Sequence, residues 1–117
     1  MCGIVAVTAG SIPLSMKEEQ LFAKALSLSQ YRGKDSTGMV SVKDVTDKLD
    51  KKLSRGFAPL PAKYLKQAEH PALFLDSKEA YAFLHHQNKS TLFGHTRHAT
   101  IGNITTANAH PFDFPNV

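Results

Sequence analysis

Of 117 residues only one is a cysteine, Cys2, so no disulfide can form within the chain. That excludes the disulfide-stapled class of small secreted scaffolds and leaves two readings: a reducing compartment, or a thiol kept for its reactivity. No apolar run approaches the roughly 18 residues a membrane-spanning helix requires. The apolar start Ile4-Val5-Ala6-Val7 is too short for the h-region of a signal peptide, and no basic residue precedes Lys17. The expected location is therefore the cytoplasm, with no membrane partner. Internal repeats and low-complexity linkers are also missing, and the length suits one domain rather than two.

Charge of one sign is scarce as well. Fourteen Lys and Arg against ten Asp and Glu leave a formal +4, and in the densest basic stretch, Lys43 to Arg55, the residues Asp44, Asp47 and Asp50 cancel much of the field. Nucleic acid is not an expected partner. Six histidines raise the question of a metal, but the ligand set is poor. No Asp or Glu stands between Glu79 and Asp113, no second cysteine exists, and His95 and His98 would point to opposite faces of a strand. No metal and no cofactor are expected.

What the chain does have is an ordinary globular composition, 42% hydrophobic with 21% charged residues, enough for a real core. Cys2 to Thr8 is short, apolar and β-branched and reads as a strand buried on both faces. Ser15 three residues before Glu18 makes a capping box, and Leu21, Phe22, Ala25, Leu26 and Leu28 follow at helical spacing, which predicts a helix from Met16 to Gln30. Gly33 reads as its stop, followed by a loop from Arg32 to Gly38 and a strand carrying Val40, Val42 and Val45. Lys43 to Pro61 reads as an exposed connection. A second helix is expected over Pro61 to Glu69, a third after the pair Asp76 and Glu79 with Ala80, Tyr81, Phe83 and Leu84, and a strand over Thr91 to Arg97.

Cys2 has a chemical advantage that no interior cysteine has. Once Met1 is removed, its own α-amine, titrating near 8, can take the proton of a thiol titrating near 8.5 without a separate histidine base. The plain alternative is a small hydrophobe in the first strand. Arg32-Gly33-Lys34-Asp35-Ser36-Thr37-Gly38 taken alone is a turn. Arg97, at a strand end, could hold a carboxylate through two parallel hydrogen bonds or simply be a surface arginine. His110, in a polar turn, has a functional and a purely structural reading.

Four segments occur in order: Met-Cys-Gly-Ile-Val-Ala-Val at the start, Tyr-Arg-Gly-Lys-Asp-Ser-Thr-Gly at 31–38, Gly-His-Thr-Arg-His-Ala-Thr at 94–100 and Asn-Ala-His-Pro at 108–111. Together they resemble the class II glutamine amidotransferases, over nearly the whole chain. The resemblance implies an α+β fold of the N-terminal-nucleophile hydrolase type, an αββα sandwich, here truncated before its later strands. It implies a glutaminase that converts glutamine to glutamate and ammonia through a thioester on Cys2. By position, Cys2 is the nucleophile, Arg97 binds the glutamine α-carboxylate, Ala99 and Thr100 line the glutamine pocket, and Arg32 and His110 support the site.

The implied partners are glutamine and a synthase domain or complementing chain that accepts the ammonia. His-Thr-Arg with Asn-Ala-His-Pro is more similar to the amidophosphoribosyl and hexosamine-phosphate synthase branches than to asparagine synthetase. His98 stands where the family usually carries tryptophan. Val117 precedes the family's His-Asn-Gly oxyanion segment, so residues 1–117 are expected to be an incomplete domain, inactive alone, whose open sheet edges favour self-association. The rival expectation is a non-catalytic structural or interaction module that retains the fold.

Overall fold

The computed structural model describes residues 2–9, 13–43, 62–85, 89–99 and 103–111. Their elements run in the order β1 (Gly3–Thr8), α1 (Met16–Leu28), β2 (Ser36–Lys43), β3 (Ala62–Gln67), α2 (Pro71–Leu75), α3 (Lys78–Leu84) and β4 (Lys89–Arg97). The four strands form one antiparallel sheet in the order β1-β4-β2-β3. The result is an α+β arrangement.

Helix α1 starts where its sequence signals it. The Glu18 side chain accepts a hydrogen bond from the Ser15 backbone N–H at 3.0 Å, and the acidic pair Glu18 and Glu19 occupies the positive end of the helix dipole. After Leu28 the backbone tightens into a 3-10 turn, Ser29–Tyr31. Phe22 and Leu26, one turn apart, enter the core beside Leu14, Met39, Phe74, Ala80, Leu84 and Leu92.

Strand alternation divides the sheet into two faces. Thr96 donates its hydroxyl to the Ser29 carbonyl at 3.0 Å, and Met39 and Leu92 are fully buried in the core, so these residues mark the helix-covered face. Their partners Val5, Val7 and Leu65 share it. Among the described residues a charged pair crosses this layer: the Lys89 ammonium, nearly buried, lies 3.1 Å from Glu19 of α1, with His85 3.5 Å from the same carboxylate.

The other face carries Ile4, Val40, Tyr64, Phe93, His95 and Arg97. Ile4 is 78% exposed and Phe93 46% exposed, which corrects the expectation that the first strand is buried on both faces: β1 buries only the side that meets α1. Over one end of this face runs a strap, residues 103–111, closed on itself by turns in which Asn108 N donates to Thr105 O and Ala109 N to Thr106 O, both at 3.2 Å.

Three further local readings are corrected. Residues 62–67 form strand β3 rather than a helix, because their N–H and C=O groups pair with β2, setting Leu65 against Met39 in the core. The last helix is capped by Ser77, whose hydroxyl accepts from Ala80 N at 3.1 Å, while Asp76 ends the short helix α2. Gly33 does not stop α1. It lies beyond the 3-10 turn, where a Cβ would stand 2.6 Å from the Arg97 backbone carbon. The expected connection over 44–61, with Val45 in it, lies outside the described residues.

Candidate functional site

The four segments singled out in the sequence meet at one end of the sheet. Gly3 of β1 pairs with Thr96 of β4, and Ser36 of β2 pairs with Arg97, so the start of β1, the start of β2 and the end of β4 come side by side. Close approach requires the glycine at 38: a Cβ there would overlap the His110 carbonyl oxygen of the strap.

Cys2 precedes β1 by one residue and its thiol is exposed. It lines an open depression of about 510 Å³ together with Gly3, Ile4, Leu28, Ser29, Tyr31 and Arg32. Arg32 thus shares a wall with Cys2, and its backbone N–H donates to Ser29 O at 2.9 Å.

Arg97 is buried, 9% exposed, rather than a surface arginine. Its Nη1 donates to the Asn103 carbonyl at 3.1 Å, which ties β4 to the strap. Its own carbonyl accepts from Asp35 N at 2.9 Å. The Asp35 carboxylate in turn accepts from Ala99 N at 2.7 Å, and the same oxygen lies 3.7 Å from Nδ1 of the exposed His98. Asp35 therefore clasps the chain on both sides of His98 and fixes the direction in which residues 97–99 leave the sheet. Thr100 lies outside the described residues.

His110 belongs to the strap, and its ring lies 4.2 Å from that of His95, tilted by 58°. Burial, then the neighbouring His110 and Arg97, lower the pKa of His95 to about 4; burial, then Arg97 and Lys66, lower that of His110. Both shifts favour neutral imidazole, first because burial strips water from the charged form and then because nearby positive charge opposes protonation. Among the described residues the buried His95 Nδ1 and Ser36 Oγ have no hydrogen-bond partner. The two rings line a second depression, about 360 Å³, with Gly38, Phe93 and Pro111.

The described residues offer an exposed sulfur beside Gly3 and Arg32 and, at the end of β4, a buried guanidinium that donates to the Asn103 carbonyl, groups whose chemistry suits a nucleophile and carboxylate recognition respectively. Among the described residues no group of three or more His, Cys, Asp or Glu side chains is placed to hold a metal ion, and no helix is long and apolar enough to cross a membrane. Three residues of this region escaped the motif reading: Asp35, His95 and Lys66. Asp35 and His95 lay inside quoted motifs and gave no sign of what they touch; Lys66 lay in a segment read as helix.

No family model matches the sequence. Over 111 residues the chain is 32% identical to a glutamine–fructose-6-phosphate aminotransferase (isomerizing) of Sulfurisphaera tokodaii, an alignment that covers 95% of this chain and 15% of that protein. The chain thus spans less than a sixth of that relative's length.

Proposed function

We propose that residues 1–117 are the N-terminal portion of a class II glutamine amidotransferase domain, that the sheet described above is one of the two sheets of an αββα sandwich, and that the protein releases ammonia from glutamine. The observation that supports this reading is the convergence of β1, β2, β4 and the strap at one sheet end, which brings together the segments that carry Cys2, Arg32, Arg97, Ala99 and His110, up to 108 residues apart in the chain. Similarity to a protein named for glutamine and fructose 6-phosphate supports it.

In this reading the α-amine freed by removal of Met1 takes the proton of the Cys2 thiol. The sulfur attacks the side-chain amide carbon of glutamine, a tetrahedral intermediate forms, and ammonia leaves with a proton returned by the amine. Water then cleaves the γ-glutamyl thioester to glutamate. Arg97 holds the substrate α-carboxylate, Ala99 and Thr100 line the pocket, and Arg32 and His110 hold its walls. A synthase domain or separate chain accepts the ammonia.

A second reading, a non-catalytic module, is favoured by one contact: the Arg97 guanidinium is engaged by the Asn103 carbonyl and could serve the strap alone. Arg97→Lys in the protein that carries this chain, with Met1 removed, separates the two. Loss of the planar fork should raise the glutamine KM roughly 10- to 100-fold, the value of a charge-assisted hydrogen bond, measured by ammonia release. Unchanged glutamine kinetics would take Arg97 out of the substrate site.

A further inference from the structure

A row of residues crosses the open face of the sheet in register: Ile4 pairs with His95, His95 with Gly38, and Gly38 with Lys66. The middle of this row is where the strap is seated, since only a glycine at 38 leaves space for the His110 carbonyl. At the β3 end of the row, Lys66 Nζ donates to the Ala109 carbonyl at 3.1 Å and reaches the Ala107 carbonyl at 3.4 Å. Nearby, the Ala68 N–H donates to Thr106 Oγ1 at 3.3 Å. Between the two carbonyls that Lys66 grips stands Asn108, whose Nδ2 donates to the Asn103 carbonyl at 3.1 Å. That is the oxygen to which Arg97 Nη1 also donates, at 3.1 Å.

We infer that Lys66 is a positioning residue for glutamine recognition: by gripping Ala107 and Ala109 it holds Asn108 in place, and through the shared Asn103 carbonyl it fixes the direction of the Arg97 guanidinium. This rests on the reading of Arg97 as the carboxylate-binding group. An ammonium with three donors suits two carbonyls at slightly different distances. Its fixed positive charge also adds, after burial and Arg97, to the lowering of the His110 pKa. Lys66 does not touch the reacting atoms in this scheme. Its loss should therefore appear in substrate affinity and leave the chemical step nearly intact.

The test compares Lys66→Met and Lys66→Arg with the parent protein, using glutamine as the probe and ammonia as the readout. Lys66→Met should raise the glutamine KM roughly 2- to 10-fold, the range of one or two hydrogen bonds, while kcat stays within about twofold. Lys66→Arg, which can donate to both carbonyls, should restore most of the affinity. Amide hydrogen exchange across 105–109 should be faster in Lys66→Met than in the parent, with the β4 amides unchanged. If Lys66→Met does not fold, Lys66→Gln, which keeps a donor on a shorter stem, takes its place and should fall between parent and Arg97→Lys in KM.

A normal KM in Lys66→Met, or in Lys66→Gln where that variant takes its place, with an active parent, overturns the inference and leaves the glutaminase reading standing. A parent that releases no ammonia sinks the glutaminase reading instead, and with it the role of Lys66 in glutamine binding. The exchange contrast then reports on the strap tether alone.

Discussion

On one side of the sheet Val5, Met39 and Leu92 meet Phe22, Leu26 and Phe74 in a packed apolar layer, whereas on the other side of the same strands Gly38, His95 and Arg97 meet a strap held by polar contacts. The helix-covered face draws its stability from area: large side chains removed from water, with Glu19 and Lys89 as a charged pair within it. The strap-covered face draws order from direction. Its backbone carbonyls at Asn103, Ala107 and Ala109 accept from Arg97 and Lys66, bonds worth little net energy each but strict in geometry. A site built that way can present a buried cation and neutral imidazoles without spending the core on them.

The sharpest way to break the comparison is to strike the apolar side. Phe74 is fully buried, and Phe74→Ala should cost about 3–5 kcal/mol in transfer and cavity terms. Denaturant unfolding should show a lower midpoint with the slope preserved. A loss under about 1 kcal/mol would mean that this layer collapses to fill the space and is less closely packed than described.

Gly38→Ala strikes the other side. The added methyl lands on the His110 carbonyl, so the strap must lift, at roughly 1–3 kcal/mol for a forced overlap. Amide exchange should speed up over 105–109 and stay slow in α1. Equal acceleration in both would show that the two faces do not behave independently.

The smallest expected effect is on pH dependence. His95 has a folded pKa of about 4 against an ordinary 6.5, so between these values the unfolded chain binds the proton and the folded chain does not. Folding is then destabilised as pH falls from about 6.5 towards 4, and the loss is complete below that window. His95→Gln should flatten this part of the melting-temperature profile relative to the parent. An identical acid slope in the two proteins would remove His95 as its source.

How much of this was legible beforehand depends on whether the signal was local. Helix α1 could be read because its cap, Ser15 with Glu18, and its apolar spacing are contained within fifteen residues, and β4 because it is long and bounded by polar sequence. Residues 62–67 could not, since Ala-Lys-Tyr-Leu-Lys-Gln suits an exposed helix as well as an edge strand, and only pairing with β2 decides. Helix α2 has five residues, too few for a period, although Pro71 stands at its first turn. Ile4 reads as buried from sequence because apolar content says nothing about which side the helices cover.

The site divides in the same way. Cys2, Arg32, Arg97, Ala99 and His110 stood out because they sit in recognisable strings of residues. Asp35 and Lys66 act by gripping backbone atoms, the Ala99 N–H and the Ala107 and Ala109 carbonyls, and backbone N–H and C=O groups have no sequence signature. Their partners lie 64 and up to 43 residues away along the chain.

The central claim concerns Cys2, and the direct measurement is its rate of covalent labelling by a glutamine-mimicking electrophile, followed by intact mass in the protein that carries this chain. With Met1 removed, Cys2 should label to one equivalent, and added glutamine should protect it. With Met1 retained the α-amine is tied up in a peptide bond, the proton acceptor is gone, and labelling should be slow. Equal rates in the two forms, or labelling that glutamine does not slow, would contradict an N-terminal cysteine nucleophile in a glutamine site.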